Sequence, residues 1–404
     1  MKRCFLVLPV MFALVGACSA PGILAQSGKR IVGYYTSWSI YARNYNVAAI
    51  KAEMLTQINY AFAKIDANGL ITMADPWSDY QKVFSNEPAG AKYHGCFMQL
   101  TVLKEKYPAL KTLISVGGWT LSSGFSNMAA TAEGRSKFAA SCVDFIRTYN
   151  FDGVDLDWEY PVRGGFPPKD QSPDDGANFV LLLQEMRKQF DAAGTQDKKS
   201  YLLTAATSAN PVNIADLDLP GLSKYLDWIN VMAFDYHVGS EKTANHASPL
   251  YGNPADPDPK NAPFNVDNTI KVYHNGGVPS DKLVLGIPFY GRGWDGVPAA
   301  GHGLFQPSDK PTTVGTWEPA VFDYDDLAAK YMAADGSNVY WDPAAHANYI
   351  YIEADNRFIT YESVKSCQEK MDYIKSNNLG GAMFWELSCD RKQTLLGAIY
   401  NGLK

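Results

Sequence analysis

The chain has 404 residues, of which 46% are hydrophobic, and its formal net charge is -6. This length and composition suffice to bury one large core or two modest ones, so a globular protein is expected. No basic tract stands out and the balance of charge is acidic, which argues against a nucleic acid as partner.

The first residues have the pattern of an export signal. Lys2 and Arg3 precede an apolar run over residues 5–15, and small residues follow. This pattern predicts a signal over residues 1–25 and a secreted catalytic domain over residues 26–404. The Val-Gly-Ala-Cys run that ends at Cys18 also resembles a bacterial lipobox, so an outer-membrane lipoprotein anchored through Cys18 is the alternative. The apolar run is too short to span a membrane, and no later segment of the sequence qualifies.

Eight short apolar runs recur along the chain, mostly without the polar alternation of half-exposed strands, as in parallel strands that are covered on both faces. They lie at residues 31–35, 58–62, 112–116, 153–159, 201–205, 228–234, 283–287 and 381–385. Apolar residues at helical spacing lie between several of them, for example over residues 138–149, 179–190 and 361–375. This alternation predicts an α/β fold, a (β/α)8 TIM barrel, whose reactive residues lie at the carboxyl ends of the strands.

The interval over residues 292–358, after the seventh run, breaks this rhythm. It contains strand-like pieces, such as residues 349–352, and several aromatic residues. A connection that long should have its own structure or form a functional wall. We predict a small α+β insertion within the barrel domain, beside the mouth of the barrel.

The cysteines are compatible with disulfides. Cys96, Cys142, Cys367 and Cys389 follow the signal, an even number in a chain predicted to be exported. Three pairings are possible, and the order of strands and helices favours Cys96 with Cys142 and Cys367 with Cys389. Their spacing gives no zinc signature, and no metal is predicted.

The fourth apolar run carries three carboxylates. Because successive side chains of a strand point to opposite faces, Asp155, Asp157 and Glu159 share one face. Carboxylates that lie so close together cannot all be ionised cheaply, so at least one is expected to hold a proton near neutral pH. General acid catalysis requires such a group, and Glu159 lies at a carboxyl end where the fold would place it.

Two other interpretations fit the same run. An exposed edge strand with a wet acidic face would leave Val154, Leu156 and Trp158 uncovered, and would more usually include Lys or Thr. A Ca²⁺ or Mg²⁺ site would also use carboxylates, but the looped Gly and the Asn or carbonyl donors of an EF-hand are missing. Catalysis is therefore the favoured interpretation.

Five motifs together resemble glycoside hydrolase family 18, the chitinases. The run DGVDLDWE at residues 152–159 resembles the family's DxxDxDxE signature. The runs SVGGW at 115–119, MAFDY at 232–236, PFYGRGW at 288–294 and GGAMFWE at 380–386 resemble its other strand motifs in the same order. The resemblance spans residues 31–402 and extends to the insertion of the bacterial-type subfamily. It implies a barrel that binds and cleaves chitin and chitooligosaccharides.

The resemblance also implies roles for single residues. Glu159 would be the general acid and then the base, Asp157 would orient the acetamido group of the substrate, and Asp155 would share a proton with Asp157. Tyr34 and Ser115 would support the carboxylates from behind. Trp385 would form the floor of the pocket for the sugar, and Trp119 would stack nearby. The residues that would line this pocket are Asp235, Tyr290 and Arg292. For the two tryptophans, core packing is the alternative.

One position departs from the family pattern. The third residue of the sixth-strand motif, usually a Tyr whose hydroxyl binds the acetamido carbonyl, is Phe234 here. In an extended strand, the side chain of Tyr236 would point to the same face as that of Phe234, two residues before it. We therefore hypothesise that its hydroxyl replaces the lost donor.

The resemblance, together with the export pattern, predicts a secreted, endo-acting chitinase that is a monomer and needs no cofactor. In the family no enzyme carboxylate acts as nucleophile, so the resemblance implies that the acetamido oxygen of the substrate attacks C1, with retained configuration. One rival is a chitinase-like lectin that binds chitin without cleavage, because fold does not fix function; such proteins typically lack the acid. The other is an endo-β-N-acetylglucosaminidase that acts on N-linked glycans or peptidoglycan, and a deep cleft suits a linear polymer better.

Overall fold

The structure is a computed structural model that describes Met1, residues 28–167 and residues 170–404. Apart from Met1, the predicted export signal and the alternative lipid anchor at Cys18 lie outside the described residues. In the part of the chain that is described, no helix combines the length and the apolar composition that a membrane span requires.

Fourteen β-strands form within the described residues. In chain order they are β1 (Arg30–Thr36), β2 (Gln57–Ile65), β3 (Ile71–Met73), β4 (Lys111–Gly117), β5 (Gly153–Asp157), β6 (Leu202–Ser208), β7 (Trp228–Met232), β8 (Leu283–Pro288), β9 (Tyr290–Trp294), β10 (Val321–Asp323), β11 (Val339–Asp342), β12 (Ala347–Ile352), β13 (Arg357–Tyr361) and β14 (Gly381–Trp385).

Eight of these strands form a closed parallel barrel. Their order is β1, β14, β8, β7, β6, β5, β4 and β2, and β1 pairs with β2 to close the ring. The short strand β3 adds an antiparallel edge to β2. Each of the eight apolar runs overlaps one barrel strand, so the predicted (β/α)8 barrel is confirmed.

Helices cover the outside of the barrel. The α-helices of the described residues are α1 (Gly95–Lys106), α2 (Phe125–Ala129), α3 (Ala132–Thr148), α4 (Asp175–Asp197), α5 (Pro211–Ile214), α6 (Leu219–Tyr225), α7 (Val266–Asn275), α8 (Tyr324–Asp326), α9 (Val364–Ser376) and α10 (Thr394–Leu403). The three helices predicted from periodicity correspond to α3, α4 and α9.

The side chains of β5 divide between the two faces of the barrel wall. Val154 and Leu156 belong to the main core between strands and helices, which Trp158 joins just beyond the strand. The Trp158 ring stacks on Phe125 at 5.1 Å between centroids. The acidic residues Asp155 and Asp157 face the barrel interior and are also buried. Because both faces are covered, the exposed-edge interpretation of this strand is wrong.

A second sheet lies between β8 and α9. It is antiparallel, in the order β10, β9, β13, β12 and β11. Its first strand begins at Tyr290, and its last strand ends at Tyr361. Tyr290 pairs with Asp323 of β10 and Tyr361 pairs with Asn348 of β12, so the sheet extends beyond both ends of the predicted interval of residues 292–358.

The predicted disulfides are wrong. Cys96, Cys142, Cys367 and Cys389 are buried free thiols. The first three lie on helices α1, α3 and α9, where a buried cysteine packs as a small apolar residue. The Cys389 thiol instead donates to the Asp323 carboxylate, at 3.3 Å. An even number of cysteines fits buried thiols as well as it fits disulfides, so the sequence could not separate the two.

Candidate active site

Asp155 is fully buried in the barrel interior and accepts four hydrogen bonds. Tyr34 Oη and Ser115 Oγ donate to its Oδ2 at 2.7 and 2.8 Å. Thr204 Oγ1 and Asn230 Nδ2 donate to its Oδ1 at 2.6 and 3.1 Å. Burial raises the pKa of Asp155, whereas the side-chain donors oppose that rise by stabilising the ionised form. Both oxygens are engaged by protein donors, which does not fit a metal-binding carboxylate.

These donors come from four barrel strands. Strand register sets Ser115, Asp155 and Thr204 side by side on β4, β5 and β6. Tyr34 and Ser115 lie where the sequence predicted. Thr204 and Asn230 were missed, because a polar residue inside an apolar run gives no sign of its partner until neighbouring strands are aligned.

Asp157 lies two residues further along the same face and is 4% exposed. Its Oδ1 is buried, and no hydrogen-bond partner for that atom exists among the described residues. Burial raises the pKa of Asp157 well above its usual range, and the nearby charges of Glu159 and Asp155 raise it further. The side-chain donors favour the ionised form of Asp155, whereas burial and the neighbouring carboxylates disfavour the ionised form of Asp157.

Glu159 follows the end of β5, where the backbone is fixed by Ser122. The Ser122 hydroxyl accepts a hydrogen bond from Glu159 N at 2.9 Å and donates to Asp157 O at 3.1 Å. Burial raises the pKa of Glu159 to about 7; a hydrogen bond with Tyr160 opposes this, and the charge of Asp235 adds to it. A carboxyl group with this pKa can both donate and accept a proton near neutral pH.

The end of β4 lies unusually close to the end of β5. Gly118 N donates to Asp157 O at 2.8 Å. A Cβ atom on Gly117, whose φ is 106°, would lie 2.2 Å from the same carbonyl oxygen. Only glycine allows this approach at position 117. At Gly118, whose φ is 85°, a Cβ atom would lie 2.5 Å from the Phe62 ring, so each glycine of the SVGGW run has its own steric reason.

Trp119 follows these glycines and is 51% exposed. Its ring meets the half-exposed Phe166 edge-on, at 6.3 Å between centroids. Core packing, the alternative for Trp119, is therefore wrong. Phe166 was not predicted, because it lies in the loop after β5 and no motif contains it.

Trp385 lies at the carboxyl end of β14, among aromatic rings. The Phe62 ring stacks on it at 5.5 Å with an interplanar angle of 19°. Tyr34 and Trp38 lie at 5.5 and 6.2 Å from the same ring. Sequence reasoning missed Phe62 and Trp38, although both lie near the carboxyl ends of predicted strands, and that position was the available signal.

Asp235 connects the barrel to the second sheet. Arg292 holds its carboxylate through two hydrogen bonds, from Nε at 2.8 Å and from an amino group at 2.6 Å. Tyr290 Oη donates to the same group at 2.9 Å. Both partners lie on β9, so the insertion contributes side chains to the site. The three residues lie together, as the sequence predicted.

The substitute-donor hypothesis for Tyr236 is wrong. Its hydroxyl lies 2.6 Å from Thr269 Oγ1 of α7, and its ring belongs to the core under the helices. The hypothesis assumed an extended strand through residue 236, in which every second side chain points to the same face. Strand β7 instead ends at Met232, and Asp235 has a φ of 56°. Phe234 remains near the site, with its ring edge-on to Tyr290 at 6.3 Å.

Comparison with known proteins gives relatives over nearly the whole described chain. The family model described as Glycosyl hydrolases family 18 matches residues 30–390. Chitinase A1 of Niallia circulans is 44% identical over 406 residues, which cover 92% of this chain and 58% of that protein. Endochitinase 1 of Metarhizium robertsii is 36% identical over 98% of this chain and 91% of its own length.

Solved structures agree. Chitinase ChiA74 from Bacillus thuringiensis superposes with a TM-score of 0.89 at 41% identity, over 93% of this chain and 70% of that one. The catalytic domain of the psychrophilic chitinase B from Arthrobacter TAD20 superposes with a TM-score of 0.86 at 32% identity, over 93% of this chain and 95% of that one. The barrel, the carboxylates of β5 and the matched span together show that this chain belongs to glycosyl hydrolases family 18.

Proposed function

We propose that the protein is a chitinase that hydrolyses β-1,4-linked N-acetylglucosamine polymers with retained configuration. The observation that carries this proposal is the row of carboxylates on β5, which ends in Glu159 with a pKa of about 7. Trp385 offers a flat apolar surface of the kind that sugar rings stack on, and its neighbour Tyr34 donates to Asp155 of this row. Relatives named chitinase and endochitinase support the same substrate.

In this proposal Glu159 first donates its proton to the glycosidic oxygen and then, as a carboxylate, activates water. No second carboxylate is needed as nucleophile, because the acetamido oxygen of the substrate can attack C1. The free Oδ1 of Asp157 is a suitable acceptor for the acetamido N–H, which would orient that oxygen. Asp155, two residues earlier on the same face of β5, would share a proton with Asp157, and its four donors hold its carboxylate in place.

Further residues are assigned to substrate binding. Trp385 floors the pocket for the sugar whose bond is cleaved, and Trp119 stacks on a sugar further along the polymer. Asp235, Tyr290 and Arg292, which are hydrogen-bonded to one another, line the pocket. Phe234 cannot donate to the acetamido carbonyl, so the acetamido group relies on Asp157. The second sheet, over residues 290–361, acts as a wall of the cleft.

The wider setting is also proposed. The sequence pattern of residues 1–25 supports secretion, with lipid attachment at Cys18 as the alternative. We propose a monomer that cleaves internally and needs no cofactor. A lectin role is not favoured, because Glu159 is present and its pKa suits an acid. Because the chain spans 58% of the length of Chitinase A1, activities of other parts of that relative are not transferred.

The product profile on chitin oligomers, with anomer analysis of the first products, tests the proposal. Short oligosaccharides released as the β-anomer are the expected result. Release of the α-anomer would contradict the substrate-assisted mechanism, and binding without any cleavage would favour the lectin.

A further inference from the structure

A buried ion pair lies at the start of α9, outside the catalytic cleft. Lys370 is 0% exposed and forms a salt bridge with Glu362, which is 4% exposed. Ser366 Oγ donates to the other oxygen of Glu362 at 2.7 Å. Removing two charges from water is costly even when they are paired, and apolar residues of similar volume often serve stability as well. Stability alone therefore does not account for this pair.

The pair is connected to the end of β7 through two residues, Ala247 and Ser248, which we call the strap. Lys370 Nζ donates to Ser248 O at 2.8 Å and to Ser248 Oγ at 2.7 Å. Ser248 Oγ in turn donates to the carbonyl of Ala233 at 2.7 Å. Tyr236 N donates to Ala247 O at 3.0 Å. The strap thus holds the backbone on both sides of Asp235.

Asp235 needs such support, because its φ of 56° lies in the left-handed region. A residue with a Cβ atom adopts this conformation at a cost, and keeps it only where the surroundings fix it. The conformation turns the carboxylate toward Arg292 and Tyr290. Without the strap, the chain between Ala233 and Tyr236 could relax and carry this carboxylate away from the cleft.

We infer that Lys370, Glu362 and Ser248 are positioning residues, which fix Asp235 at the sugar-binding edge of the cleft through the strap. This inference rests on the proposed hydrolysis of N-acetylglucosamine polymers and deepens it. The charged pair lies behind the strap and touches no group that would contact substrate. Its effect on the reaction passes through the backbone at Ala233.

Two variants test the inference in the full chain. Ser248→Ala removes only the hydroxyl that reaches the Ala233 carbonyl. The double variant Lys370→Met with Glu362→Gln removes both charges, so neither is left buried without its partner. The matched control is Arg187→Met with Asp227→Asn, which removes another partly buried ion pair, with Arg187 Nη2 and Asp227 Oδ2 2.7 Å apart, that lies before the start of β7 and does not contact the strap.

The readouts are kcat/KM on a chitooligosaccharide across pH and Tm. Both test variants should lose kcat/KM by roughly tenfold to a hundredfold, the scale for a small misplacement in an active site. The fall of kcat/KM at high pH should also begin at a lower pH, because a displaced Asp235 no longer raises the pKa of Glu159. The interactions of Glu159 with Tyr160 and Asp157 should remain. The control should keep kcat/KM within twofold and its pH limb unchanged.

Three outcomes would overturn the inference. The first is a folded Ser248→Ala protein, or a folded double variant, with parental kcat/KM. The second is a loss of activity with an unmoved pH limb, and the third is an equal loss in the control. A parent chain that does not cleave chitooligosaccharides would instead refute the proposed function, so the two failures are distinguishable.

Discussion

Replacing Glu159 with Gln should stabilise the protein, and more so at high pH. Burial raises the pKa of Glu159 from 4.5 to about 7. A carboxyl group whose pKa is raised by folding contributes its stability below pH 4.5 and loses it as the pH rises through 7. The shift corresponds to at most about 3 kcal/mol, and partial exposure of the side chain reduces this to about 2 kcal/mol. Gln does not ionise, so the variant avoids this loss.

The same substitution should remove activity, because the amide keeps the shape of the side chain but cannot deliver a proton. Loss of a general acid costs about 10²–10⁴-fold. In the parent, kcat/KM should be half its plateau value near pH 7 and about tenfold below the plateau near pH 8, following the protonated fraction of Glu159. The residual kcat/KM of the Glu159→Gln variant should not fall in this way between pH 7 and pH 8.

Urea unfolding of both proteins at pH 5 and pH 8 measures the stability difference. We expect a gain for Glu159→Gln of less than about 1 kcal/mol at pH 5 and of about 2 kcal/mol at pH 8. Glu105→Gln, at an exposed position of α1, is the matched control and should give the same difference at both pH values. A gain for Glu159→Gln that is independent of pH would refute the burial argument, and activity within tenfold of the parent would refute the assignment of the acid.

The remaining predictions concern three other residues. Asp157→Asn should lose most activity. When the parent enzyme cleaves partly deacetylated chitosan, the new reducing ends should all be N-acetylglucosamine. Sequencing the products checks this, and frequent glucosamine at these ends would mean that another nucleophile attacks. Tyr236→Phe should leave kcat unchanged and cost about 1 kcal/mol of stability, because its hydroxyl bonds Thr269; a large fall in kcat would contradict that placement. Asp235→Asn should move the basic limb of kcat/KM to lower pH, because the Asp235 charge raises the pKa of Glu159; an unmoved limb in a pH titration would count against this coupling.

The sequence alone was sufficient to predict the barrel and its acidic strand. Both depend on short-range patterns: the alternation of apolar runs with helical spacing, and the opposite facing of neighbours in a strand. Asp155 and Asp157 consequently face the barrel interior, while Val154 and Leu156 pack outward.

Only the tertiary structure determined the partners of these residues. Thr204 and Asn230 donate to Asp155 from other strands, and the register that aligns them depends on the whole closed barrel. The four cysteines remain thiols because each fills its own place in the packed interior, which their number cannot reveal. Tyr236 faces α7 because β7 ends early and Asp235 adopts a left-handed backbone. The early end of β7 and this one backbone angle break the alternation on which reasoning from sequence depends.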